Sequence, residues 1–88
     1  MNEPKLTNEQ RANSEKLLIY FQQNKEIHIT LNKRTLTGQH YYYNGTIVQS
    51  YSDTLFELKD RLNGENIIFS VFQLKDDGVS EYTPHEKK

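Results

Sequence analysis

At 88 residues and a formal net charge of −1, eleven basic side chains against twelve acidic ones, the chain lacks the broad cationic face by which a duplex binder neutralises phosphates. Local recognition of a few nucleotides stays open. The length fits one domain able to bury about two-thirds of its chain surface. With hydrophobic residues at 34%, its thin core leans on six tyrosines and four phenylalanines, which remove the most surface from water. Absence of cysteine excludes a disulfide framework and a thiolate metal site. No apolar run reaches the length of a signal-peptide core or a membrane span, so the expectation is a soluble, cytoplasmic protein.

Residues 1–6 read as a polar, flexible leader. Thr7-Asn8-Glu9-Gln10 fits a capping box, with Leu6 placed as a hydrophobic staple. A helix from there to about Gln23 carries Leu17, Tyr20 and Phe21, with Ser14 and Asn24, along one face and Leu18 beside them. Its apolar stripe is confined to the last two turns. That half should dock on a sheet and leave the first half exposed. After Asn24-Lys25-Glu26, Ile27, Ile29 and Leu31 alternate with His28, Thr30 and Asn32, the pattern of a half-buried strand. The segment from Asn32 to His40 reads as a loop or an extended hairpin, with Thr35-Leu36-Thr37 as a short pairing strand.

From about Tyr41 to Tyr51 a second strand sets Tyr43, Gly45 and Ile47 on one face. A glycine inside a strand marks a strong bend or a close backbone approach. A competing register makes Asn44-Gly45 a two-residue hairpin turn. Beyond a turn at Ser52-Asp53, the strand Thr54 to Asp60 points Phe56 and Leu58 inward and Glu57 and Lys59 outward. Asn63-Gly64 is a turn signal. Asn66 to Leu74 is too continuously apolar for a one-faced strand and reads as buried on both faces, with a break near Ser70. Asp76-Asp77-Gly78 turns the chain into a last strand, Val79 to Tyr82, and residues 84–88 form a polar tail. The sum is a mainly β domain over residues 7–83, with one N-terminal α-helix and a five-stranded, strongly bent antiparallel sheet forming a small open barrel.

Three features together, the aromatic-x-Gly-x-Ile of Tyr43, Gly45 and Ile47, the Asp-x-x-Phe-x-Leu of Asp53, Phe56 and Leu58, and the Asn63-Gly64 turn into an apolar strand, resemble the Sm/LSm/Hfq small-barrel superfamily. The resemblance spans about Asn8 to Tyr82 in architecture and Tyr43 to Asp60 in motif. It implies that Gly45 is the motif glycine, Asp53 its aspartate, Leu55 the base-stacking position, Phe56 the hydrophobic residue, and Glu57 the position where the family has asparagine. The chain departs from the family in a longer Gly45-to-Asp53 gap, an aliphatic Leu55, and an acceptor-only carboxylate at Glu57. Neither the Arg-Gly of the second Sm motif nor the Tyr-Lys-His of Hfq occurs between Asn66 and Leu74. The family also implies a homo-oligomeric ring, made by pairing the fourth strand of one copy with the fifth of the next.

Candidate contact residues follow. His40, Tyr41 and Tyr42 lie near Lys33 and Arg34, an interleaving of rings and cations that suits stacked bases and their phosphates. The plainer account sends Tyr43 and Tyr41 to the core and leaves Tyr42 as a surface residue. His28, His40 and His85 have no paired metal-ligand spacing and read as solvent-facing. Glu57 and Asp60 stand an odd step apart on one strand, hence on opposite faces, and form no acid/base pair. Ser50, Ser52, Ser70 and Ser80 have no histidine at a defensible spacing to activate them. Lys33, Lys59 and Arg61 read as a solvated rim. The apolar, proline-free strand around Ile67 to Leu74, if left as a sheet edge, invites association. No catalysis and no cofactor are expected. Two functions fit. One is a single-stranded RNA-binding module, contacting RNA through Lys33, Arg34, His40, Tyr41 and Tyr42 and, by the resemblance, Asp53, Leu55 and Glu57. The other is an assembly subunit that binds a protein partner and has lost RNA contacts.

Overall fold

The computed structural model describes residues 5–83; positions 1–4 of the expected leader, the tail 84–88 and with it His85 lie outside them. Helix α1, Asn8–Gln23, starts on the expected capping box. The Thr7 hydroxyl accepts the Gln10 amide at 3.0 Å, and the Gln10 side chain accepts the Thr7 amide at 2.9 Å. It ends at Asn24, whose left-handed backbone (φ 56°) turns the amides of Asn24 and Lys25 onto the last carbonyls, the usual helix stop.

Five strands follow: β1 Glu26–Arg34, β2 His40–Ser50, β3 Leu55–Asp60, β4 Asn66–Ser70 and β5 Leu74–Glu81. They form one antiparallel sheet in the order β4-β3-β2-β1-β5. Gly45 sits inside β2, opposite Ile27 of β1 and Asp60 of β3, so the Asn44-Gly45 hairpin register does not occur. A Cβ there would overlap the Lys59 carbonyl and come within 2.9 Å of the Leu58 side chain. Register shifts between Ile47 and Gln49, Thr30 and Arg34, and Ile29 and Leu31 add the bulges that bend a small sheet.

The bend wraps one face around a single core: Leu17 of α1 with Ile27, Ile29, Ile47, Phe56, Leu58, Phe69, Val71, Leu74 and Val79. The alternation read in β1, β2 and β3 supplies half of it. α1 docks further toward its start than its apolar stripe suggests, because Asn13 and Ser14 are buried along with Leu17. Their side chains donate to the Lys75 and Asp53 carbonyls at 3.2 and 2.7 Å. Ile19, by contrast, is exposed.

Three local expectations are corrected. Thr35-Leu36-Thr37 is not a strand. β1 continues to Arg34, and Thr35 to Gln39 closes the β1–β2 turn through Thr35 N–H to Gln39 O at 2.7 Å and Gly38 N–H to Thr35 O at 3.0 Å. Asp76-Asp77-Gly78 does not turn the chain back either. It lies within β5, where Asp77 takes a φ of 59° and Gly78 lies so close to the Lys75 and Thr30 carbonyls that a Cβ would meet them. The stretch from Asn66 to Leu74 is not buried on both faces, since Ile68 is 59% exposed and Phe72 also faces solvent while Phe69, Val71 and Leu74 enter the core. The break near Ser70 does occur. Ser70 caps a one-turn 3-10 helix, Val71–Gln73, its hydroxyl accepting the Phe72 amide at 3.1 Å while Gln73 accepts the Ser70 amide at 2.9 Å. β4 and β5 are the two edges of the sheet. No helix among the described residues is long and apolar enough to cross a membrane.

Candidate nucleic-acid interface

Strand alternation that sends Tyr43, Gly45 and Ile47 to the core sends Tyr42, Asn44 and Thr46 to the opposite face, beside His28 and Thr30 of β1. Tyr42 is 61% exposed. His28 is not simply solvent-facing. It is half-buried, its ring 5.4 Å from that of Tyr42, with Nδ1 at 2.6 Å from Asn44 Oδ1 and Nε2 at 3.2 Å from Thr30 Oγ1. The histidine fixes both neighbours and holds the outward ring of Tyr42 against a second planar group.

Toward the β1–β2 turn, Lys33 Nζ lies 5.5 Å from the centre of the exposed Tyr41 ring, a cation–π contact. Arg34 pairs with His40 across the ladder. His40 Nδ1 is 2.7 Å from the Leu31 carbonyl. A carbonyl only accepts, so Nδ1 carries the proton. Tyr43, half-buried, packs against the core, whereas Tyr41 does not enter it. Lys33, Arg34, His40, Tyr41 and Tyr42 are thus gathered on one end of the β1–β2 hairpin.

Asp53, Leu55 and Glu57 are not with them. They lie at the other end of β2, around the loop into β3. Asp53 is exposed, and its backbone carbonyl holds Ser14. Leu55, 38% exposed, stands opposite Ser70, and the Thr54 carbonyl accepts the Val71 amide at 2.9 Å. Both carboxylate oxygens of Glu57 are taken: Tyr51 donates its hydroxyl to Oε1, and Asn66 Nδ2 donates to Oε2 at 2.8 Å. The Tyr51 bond, then the Asn66 bond, hold the Glu57 carboxyl below its usual range, and the same bond to Glu57 raises the Tyr51 phenol.

A group whose folded pKa is depressed stabilises the fold above its unfolded pKa and loses that contribution as pH falls through the folded value. Tyr51→Phe removes the larger cause, so the Glu57 carboxyl will titrate at higher pH in that variant. Carboxyl carbon shifts followed against pH read this directly. An unmoved midpoint would show that the hydroxyl does not hold the carboxylate.

Sequence reasoning placed Arg61 on a solvated rim and did not single out Tyr82. In the fold they meet. Arg61 Nε donates to Glu26 Oε2 at 3.1 Å, Nη1 lies 3.5 Å from the Tyr82 hydroxyl, and the guanidinium sits 4.8 Å from the Tyr82 ring centre. Glu26, by hydrogen bond and by charge, raises the Arg61 pKa further above its ordinary value. The Arg61 amide donates to the Asn44 carbonyl at 2.9 Å, which ties this pair to the strand that carries Tyr42. Between them lies a hollow of about 220 Å³, formed by Tyr42, Tyr43 and Asn44 on one side and by Asp60, Arg61, Leu62 and Tyr82 on the other. Among the described residues, no three His, Asp or Glu side chains gather in a metal-binding group.

Comparisons of the chain with protein-family models, curated proteins and solved structures return no match.

Proposed function

We propose that this chain is a non-catalytic, Sm-like single-stranded RNA-binding module of the cytoplasm. The observation that carries the reading is a set of three surface rings with cations or a histidine alongside, Tyr41 and Tyr42 on opposite faces of β2 and Tyr82 half-buried. Tyr41 lies under Lys33, Tyr42 stands 61% exposed against His28, and Tyr82 is covered by Arg61. Such a surface offers stacking platforms with positive charge alongside, the combination that holds single strands without a deep groove. The position of β4 and β5 at the two ends of the sheet suits a ring closed by strand four of one copy pairing with strand five of the next, as in Sm proteins.

The test is fluorescence anisotropy with labelled oligo-U and oligo-A at two salt concentrations. Binding should weaken as salt rises, because contacts to phosphate release counterions. Tyr42→Ala should weaken it by roughly 5- to 150-fold, the equivalent of about 1–3 kcal/mol for one lost base stack. Light scattering of the same sample reads the assembly, and a clean 10.4 kDa mass would remove the ring.

A second reading has its own support. The net charge of −1 and the engagement of both Glu57 oxygens by Tyr51 and Asn66 suit an Sm-fold assembly subunit that binds a protein partner instead of RNA. Absence of RNA binding at tens of micromolar protein favours it.

A further inference from the structure

The hollow beside Arg61 holds polar groups that the exposed tyrosines do not use. Its 220 Å³ falls below the roughly 300–1,000 Å³ of pockets that enclose a drug-sized molecule, so it suits one ring system. Asp60 is only 8% exposed. Its Oδ1 accepts the Leu62 amide at 2.9 Å. No described residue donates to its Oδ2, and Asp60 lines the hollow. Asn44 spends Oδ1 on His28, which leaves its Nδ2 as a donor. Arg61 is clamped by Glu26 and laid on Tyr82, which leaves guanidinium N–H groups and one planar face.

We infer that this hollow is a guanine-selective subsite. Guanine carries N1–H and N2–H₂ donors beside the O6 and N7 acceptors. Asp60 answers the donors; Asn44 Nδ2 and Arg61 answer the acceptors. Stacking falls to the Arg61–Tyr82 plane or the Tyr42 ring, as for splayed bases in single-stranded RNA. Adenine has no N1–H and would set a lone pair against the carboxylate. Cytosine and uracil fill less of the space. The subsite deepens the RNA-binding reading and rests on it for its biological setting.

Two measurements on the full chain decide it. In the first, amide chemical shifts are followed during titration with 5′-GMP, 5′-AMP and 5′-UMP. GMP should perturb Asn44, Arg61 and Leu62 and bind at least about fivefold tighter than the other two, the lower end of one bidentate base contact. Tyr82→Ala and Asp60→Asn should each reduce that selectivity while the rest of the spectrum stays dispersed. In the second, anisotropy compares oligo-A carrying one guanosine with the same strand carrying inosine, which lacks the 2-amino group. The inosine strand should bind more weakly by roughly 5-fold or more. Equal responses to GMP and AMP, or none at these amides, overturn the subsite. GMP-specific shifts without oligonucleotide binding keep the subsite and remove the RNA reading. Oligonucleotide binding indifferent to guanine, with the three amides unmoved, does the reverse.

Discussion

Gly45→Ala will cost the domain about 3 kcal/mol or more, the upper end of what over-packing exacts, and will leave much of it unfolded at ambient temperature. A Cβ at this position would overlap the Lys59 carbonyl oxygen, lie 2.8 Å from its carbon and 2.9 Å from Leu58 Cδ2. Two of these atoms are backbone, so no side-chain rotation relieves the clash. β2 and β3 must part where Gly45 faces Asp60. Marginal stabilities of about 5–15 kcal/mol leave a small domain little room for that. The same displacement pulls Arg61 from Asn44, joined by a 2.9 Å backbone bond, and so empties the hollow. Urea unfolding followed by circular dichroism gives the number, with Thr46→Ala, on the outward face of the same strand, as the reference. A loss below about 1 kcal/mol, typical of an ordinary substitution, would mean that the strands do not approach so closely.

Much of this architecture was legible because it rests on local pattern. The Thr7 to Gln10 box, the alternation in Ile27/Ile29, Tyr43/Gly45/Ile47 and Phe56/Leu58, and the interruption at Ser70 are each written in a few neighbouring residues, and each appears in the fold. The errors lie where distant contacts override local signals. Asp76-Asp77-Gly78 has turn composition, but it stays inside β5 as a bulge without partners on β1, held between Leu74 opposite Leu31 and Val79 opposite Ile29. Asn13 and Ser14 fall in the half of the helix expected to be exposed, yet both are buried where Lys75 and Asp53 supply acceptors from 62 and 39 positions away. The interface divides the same way. Tyr41, Tyr42 and Lys33 cluster in sequence, so they were visible. Arg61 reaches Glu26 across 35 residues and Tyr82 across 21, pairings that depend on the order of strands in the sheet and leave no periodic trace.

Phe56→Ala is the second large effect, and its location matters as much as its size. Phe56 is fully buried, opposite Ser50 of β2 and Phe69 of β4, and its ring stacks on Phe69 with centroids 6.1 Å apart and planes 26° off parallel. Truncating a buried phenylalanine costs about 3–5 kcal/mol through lost transfer energy and the cavity left behind. The cavity would open beside the strand least able to bear it. β4 pairs with β3 alone, and the 3-10 turn after it hangs on Val71 and on the bond to the Thr54 carbonyl. Hydrogen exchange should therefore speed up first at the amides of Ile67 to Val71, by local opening, and later at β1, which is paired on both sides. Uniform acceleration over all five strands would mean that the sheet opens as one unit. If β4 alone loosens, the edge that the proposed ring would pair is the part of the molecule that pairing has most to stabilise, and if that ring forms the variant's protection will recover as protein concentration rises.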